Sequence, residues 1–243
     1  MSTYVYGITH DTGALDGSGL TGVGDPPSEV RFVRTDGLAA AVSTAPQGLR
    51  AKRRDLSAHQ EVLVDLARRD AVLPMRFGAV AEDDEAVAAE LRRAKEHYTA
   101  LLDRLKDRVE FNVKAVHIEE AALRTVLSED ESLREANERL RAQDGGTPAE
   151  RMAFGEQVAG ALEELRRRDA DTVVEPLAAH AEQVAMGPPV DDCLANVSLL
   201  VHRDRGEELT REVGRLQGKL GHLMEISVNG PLPPYSFVAE PAQ

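Results

Sequence analysis

The chain has 243 residues, room for two domains of about 100 to 150 residues each, and its 42% hydrophobic and 29% charged residues, mixed in sign, exclude a disordered protein. Its 29 Lys and Arg stand against 42 Asp and Glu, a net charge of −13 that repels phosphate backbones and anionic membrane surfaces, so neither nucleic acid nor membrane is an expected partner. No stretch approaches the roughly 18 to 20 apolar residues of a bilayer span, and Met1 to His10 lacks a signal peptide's basic start and apolar block, which predicts a cytoplasmic protein. Cys193 is the only cysteine, so no intrachain disulfide or Cys-cluster metal site can form.

Thr3 to Thr9, rich in Tyr, Val and Ile, reads as a strand, and the Gly, Pro, Asp and Ser of residues 11–28 as a loop. Val30–Arg34 and Leu38–Thr44 read as an antiparallel pair joined at Asp36-Gly37, a dipeptide suited to the positive φ of a tight hairpin. From Asp55 to Arg69 the period is helical, with Val62, Leu63 and Leu66 on one face and Ser57 with Gln60 matching a capping box. Val72 to Val80 returns to strand character. Asp84 to Lys106 reads as one long helix, its stripe running through Val87, Leu91, Ala94, Tyr98, Leu101 and Leu105.

Glu110 to Ile118 alternates, with Phe111, Val113 and Ala115 on one side and Glu110, Asn112 and Lys114 on the other. Residues 119–182 read as charged helices, with starts at Ser128-x-x-Glu131 and Thr147-Pro148-Ala149-Glu150 and a kink or restart at Pro176. Gln183–Met186 and Leu194–His202 form a second hairpin around residues 187–192. A helix carrying Leu209, Val213, Leu216 and Leu220 follows, capped by Gly221, and then a strand through Met224, Ile226 and Val228.

The fold class is therefore α+β in two domains. Residues 1–107 form a small antiparallel sheet with helices on one face, and residues 108–229 give the order β, several α, β, β, α, β of a ferredoxin-like domain with a helical insertion at 119–182. Residues 230–243 are a Pro-rich, aromatic tail.

Gly17-x-Gly19-x-x-Gly22 satisfies a dinucleotide-binding string, but Asp25-Pro26-Pro27 follows where a helix N-terminus is required, which favours a flexible surface loop. The seven histidines show no metal-site spacing, no serine sits in a nucleophile elbow, and no cofactor is implied. Gly214-x-x-x-Gly218 lies inside a helix, and packing against the protein's own sheet is the favoured reason. Arg76, within Pro74-Met75-Arg76-Phe77-Gly78, reads by default as half of a structural ion pair. The tail's three prolines stiffen a chain that presents Tyr235 and Phe237, either docked intramolecularly or offered to a partner.

Three segments taken together, Tyr4-Val5-Tyr6-Gly7-Ile8, Val72 to Val80 and Gly230 to Phe237, resemble in order and spacing the gas vesicle protein F/L (GvpF/GvpL) family across the whole chain. Leu232 departs from that pattern, where the family's tail often carries Trp. The resemblance implies a two-domain protein with a C-terminal ferredoxin-like domain elaborated by helices. It also implies a non-catalytic accessory or minor structural role in forming gas vesicles, the protein-walled compartments that give cells buoyancy. The implied partners are the hydrophobic shell protein and other gas vesicle proteins.

Tyr235 and Phe237 are the first-choice contact residues for such a partner, followed by Arg76 and by the face of Tyr4 and Tyr6. The alternatives are a small-molecule enzyme or ligand-binding protein on a ferredoxin-like scaffold, and a general cytosolic adaptor.

Overall fold

The structure is a computed structural model that describes residues 1–189 and 193–238. The chain divides into two compact units, one made of Met1–Glu110 with Gly230–Gln243 and the other of Phe111–Asn229. The tail from Gly230 thus belongs with the first unit.

In the first unit, β1 (Thr3–His10), β2 (Arg31–Thr35), β3 (Leu38–Thr44) and β4 (Val72–Pro74) form an antiparallel sheet in the order β2-β3-β1-β4, and β5 (Val80–Ala81) pairs with β1 beyond β4. The β2–β3 register closes at Thr35↔Leu38, leaving the loop Asp36-Gly37 with φ of 50° and 86°, as the hairpin signal predicts. β3 is buried at six consecutive positions from Leu38 to Ser43. Its two alternating sets of side chains point to opposite faces, so both faces of this sheet are covered, where the sequence predicts helices on one. The small side chains of Ala39, Ala40 and Ala41 permit that close approach. The helix α1 (Arg53–Arg69) packs Val62, Leu63 and Leu66 with Tyr4, Tyr6 and Val72.

Three local expectations for this unit are corrected. Ser57 does not cap α1, because the helix begins four residues earlier at Arg53. The strand expected over Val72–Val80 is split into β4 and β5, since Met75–Ala79 arches away at Gly78, where φ is +94°. The arch is tied at both feet to β1, by Met75 N–H to the Tyr6 carbonyl at 2.8 Å and by Val5 N–H to the Ala79 carbonyl at 2.9 Å. The long helix over 84–106 is two helices, α2 (Asp84–Arg93) and α3 (Lys95–Leu105), with Ala94 between them at φ −107° and ψ 21°.

A second sheet is formed by β6 (Arg108–His117), β7 (Gln183–Met186), β8 (Cys193–His202) and β9 (Met224–Leu232) in the order β7-β8-β6-β9. β7 and β8 are antiparallel, from Gln183↔Leu200 to Met186↔Val197. Residues 190–192 of the expected turn between them lie outside the described residues. Between β6 and β7 run α4 (Glu119–Glu129), α5 (Glu131–Ala142) and α6 (Pro148–Ala178). Thr147 and Glu150 make the predicted capping box of α6. α5, by contrast, starts at Asp130, whose carboxylate accepts from Ser132 and Leu133 N–H, while the Ser128 hydroxyl donates to the Thr125 carbonyl. Pro176 does not restart a helix, since it lies inside α6, which continues to Ala178. α7 (Gly206–Leu220) buries Leu209, Val213, Leu216 and Leu220.

Candidate functional site

Tyr4 and Tyr6 project from β1 into the core beside α1, and both are wholly buried. Their rings meet edge to face at 4.8 Å between centroids, and each packs on the His59 ring of α1. These tyrosines therefore touch the protein's own interior, in contrast to the contact face expected of them. Burial of so much polar aromatic surface requires partners for each hydroxyl.

The bonds are specific. His59 Nε2 lies 3.1 Å from the Met75 carbonyl, which only accepts, so Nε2 carries the proton and Nδ1 accepts from the Tyr4 hydroxyl at 2.8 Å. Tyr4 in turn accepts from Gly78 N–H at 3.2 Å. The Tyr6 hydroxyl meets Ser43 Oγ at 2.9 Å and accepts from Val23 N–H at 2.9 Å. Asp55, one turn before His59 on α1 and nearly buried, accepts from Gly24 N–H at 2.9 Å.

Burial pushes the Tyr4 phenol up to about 12 and raises Tyr6 as well. Burial also holds the His59 imidazole below its ordinary value, outweighing its bond to the Met75 carbonyl. The Gly24 N–H holds the Asp55 carboxyl below the usual range. At neutral pH the cluster is thus a neutral His and two neutral Tyr beside one carboxylate. It clasps the Met75–Ala79 arch and the glycine-rich loop to β1 and α1.

That loop runs largely over the surface, but Gly22, Val23 and Gly24 are packed into the core. Val23 is wholly buried, and a Cβ on Gly22 would lie 2.5 Å from the Tyr6 hydroxyl and 2.5 Å from the Ser28 carbonyl. The third glycine of the dinucleotide-like string answers a steric need against a tyrosine. His59 and Asp55 were not singled out as site residues from the sequence. The available signal was a His and an Asp spaced i, i+4 on the same face as Val62 and Leu66.

On the outside of the arch, Arg76 is exposed and, among the described residues, makes no ion pair, so the structural pairing expected by default is not what holds it. Phe77 turns inward, its ring 6.0 Å from Tyr4 and 5.8 Å from His59. Tyr235 packs half-buried against the same core, and its hydroxyl donates to Gln60 Oε1 at 3.3 Å. Burial pushes its phenol up to about 12. Phe237 is buried, with Arg104 donating to its carbonyl at 2.8 Å. The structure therefore brings Tyr4, Tyr6 and Tyr235 into one cluster, and seats Phe237 apart in a docked tail.

In the second unit, Gly214 and Gly218 lie on the exposed face of α7, where an added Cβ meets nothing within 4 Å, so packing on the protein's own sheet does not explain them. His117 Nε2 lies 2.9 Å from Asp169, tying the end of β6 to α6. Among the described residues no group of three His, Cys, Asp or Glu is placed to hold a metal ion, and no helix is long and apolar enough to cross a membrane.

Residues 2–239 match the family described as gas vesicle synthesis protein GvpL/GvpF. The chain is 48% identical over 238 residues to gas vesicle protein F of Streptomyces sp. (strain CB03234), covering 98% of this chain and 100% of that protein. It is 31% identical over 257 residues to gas vesicle protein L of the same strain, covering 96% and 91%. The crystal structure of GvpF from Anabaena sp. PCC7120 shares the fold at a TM-score of 0.79 and 22% identity over 99% of each chain. That of GvpF from Microcystis aeruginosa does so at 0.77 and 23%, over 98% of this chain and 99% of that one. A match that runs through nearly every residue, with close to half of them identical in one relative, shows that the chain belongs to the GvpL/GvpF family of gas vesicle proteins.

Proposed function

We propose that the protein is a non-catalytic accessory or minor structural component of gas vesicle formation that binds the hydrophobic shell protein and assists its assembly. The single observation that carries this reading is the family match over residues 2–239. Physical chemistry supplies the need: a subunit that will line a gas space is strongly apolar and prone to edge-to-edge strand pairing before incorporation. A carrier with a net charge of −13 stays soluble while holding it.

Support for the contact region comes from the arch. Arg76 is exposed there, Val80 at its foot is 51% exposed, and Tyr235 packs half-buried against the same core as Phe77 of the arch. Arg76 and Tyr235 are therefore the contact residues of this reading. Phe237 contributes by holding the tail in place, and Tyr4 and Tyr6 by supporting the arch from beneath. For the second unit we infer an elaborated split βαβ, or ferredoxin-like, arrangement. The sheet order β7-β8-β6-β9, with α4 to α6 inserted before β7 and α7 before β9, supports it.

The test is co-expression with a shell protein from the same cell, scored by co-purification and by the fraction of shell protein that stays soluble, with unrelated apolar proteins as controls. Selective retention that Arg76→Ala weakens at unchanged thermal stability is the expected result. No retention overturns the direct contact, and equal retention of unrelated apolar proteins makes the chain a general adaptor instead.

A further inference from the structure

Residues 119–182 hold sixteen Asp and Glu against eight Arg and no Lys, so about a quarter of the chain carries −8 of the net −13. Within this insertion α4, α5 and α6 close over a small core of Ala122, Val126, Leu133 and Leu165. Closure is incomplete along the α5–α6 seam. At one end a hollow of about 650 Å³ is floored by Val126, Leu133 and Leu165 and flanked by Glu129, Glu131 and Glu164. Gln157 lines this hollow and also the next, of about 220 Å³, whose wall includes Leu140 and Phe154.

The groove follows α6 from Phe154 to Arg168, about 21 Å at 1.5 Å per residue. Gly160 lines its wider part in the middle of α6, an unfavourable residue there, and a Cβ on it would meet nothing within 4 Å. Arg168, the one basic residue of the wider hollow, is engaged by Glu129 at 2.9 Å and by Asp169 at 3.4 Å. Glu131 pairs with Arg134 at 3.7 Å, and the wider hollow is still lined by Glu129, Asp130, Glu131 and Glu164 against Arg168, so its rim is net negative above an apolar floor.

We propose that this seam is a docking groove for a basic amphipathic helix of a partner protein. Over the buried floor where α4, α5 and α6 meet, the partly exposed Ala161, Leu140 and Phe154 offer a seat for the apolar stripe of a further helix, Gly160 lets its backbone approach, and the acidic rim pairs with Lys or Arg flanking the stripe. The sign of the local charge also rejects acidic helices of the same shape and speeds encounter with basic ones. The groove lies in the second unit and does not depend on the shell protein being the partner.

The probe is a fluorescein-labelled 18-residue peptide of Leu, Ala and Lys, with Leu at i, i+3, i+4 and i+7 spacing and Lys on both flanks. Its controls are a scrambled peptide of the same composition and one with Glu for every Lys. Anisotropy titrations with the full chain should show the Lys peptide binding at least tenfold more tightly than the scrambled one, more weakly as salt rises, and the Glu peptide not at all. Gly160→Leu should fill the hollow and weaken binding tenfold or more while the unfolding midpoint holds or rises, and Glu131→Lys with Glu164→Lys should weaken it likewise. Equal binding of the scrambled peptide, or undiminished binding to Gly160→Leu, overturns the groove. Either result leaves shell-protein retention, and so the proposed function, to be judged separately.

Discussion

Glu110 accepts two hydrogen bonds from Ser236, one from the backbone N–H and one from the hydroxyl, each 2.8 Å long, across 126 positions of sequence. By alternation Glu110 sits opposite Phe111 on β6 and reads as solvent-facing, yet it is only 4% exposed. The tail supplies both the cover and the donors. Ser236→Ala should cost about 1.5 to 3 kcal/mol, as for hydrogen bonds to a charged group. Glu110→Ala, which leaves both donors without their acceptor, should cost more and expose the tail to protease. Urea midpoints and the rate of C-terminal clipping check this, and clipping at the wild-type rate in Glu110→Ala would refute the clasp.

His59 makes stability fall as pH drops. Its folded-state value lies below its unfolded one, so between the two the unfolded chain binds a proton that the folded chain does not. The contribution is complete above about pH 6.5 and is lost below it at up to about 1.4 kcal/mol per pH unit until the folded imidazole itself titrates. Denaturant midpoints at a series of pH values should show a shallower acid slope for His59→Gln. An unchanged slope would mean that other groups carry the acid sensitivity.

The glycine-rich loop should tolerate substitution unevenly. Gly22→Ala places a methyl group against the Tyr6 hydroxyl and the Ser28 carbonyl and should destabilise by about 1 to 3 kcal/mol, the range for overpacking. Tyr6→Phe should cost a similar amount, about 1 to 3 kcal/mol, by stranding the buried Val23 N–H. The double variant should cost less than the sum of the two, because removing the hydroxyl gives the new methyl room. Strict additivity would argue against the contact.

Gly214→Ala and Gly218→Ala should act in the opposite sense. Each relieves a glycine in a helix interior with open space around the new Cβ, so each should stabilise by up to about 1 kcal/mol. Thermal melts decide it, and a loss of stability would reveal a neighbour that the open face does not show.

Where a short local rule governs, the sequence is read well. Asp36-Gly37 closes its hairpin because two consecutive positive φ angles need those residues, and Thr147 caps α6 through Glu150 because the box is contained in four positions. The break at Ala94 left no mark, since alanine favours helix and a one-residue interruption hardly disturbs the stripe from Leu91 to Leu101. The candidate site was legible only in part. Alternation puts Tyr4 and Tyr6 on a common side of β1, but what covers them comes from Val23, His59 and Phe77, remote in sequence. Their inward direction is a property of the tertiary fold.

The first unit is assembled from both ends of the chain, and this sets an order of events during synthesis. At roughly 5 to 20 residues per second, Glu110 emerges roughly 6 to 25 seconds before Ser236 is made. All of Phe111–Asn229 is translated in that interval. Until the last residues arrive, the nascent chain displays an unclaimed carboxylate and the apolar pocket destined for Tyr235, a window in which the tail competes with any other extended segment for the same seat.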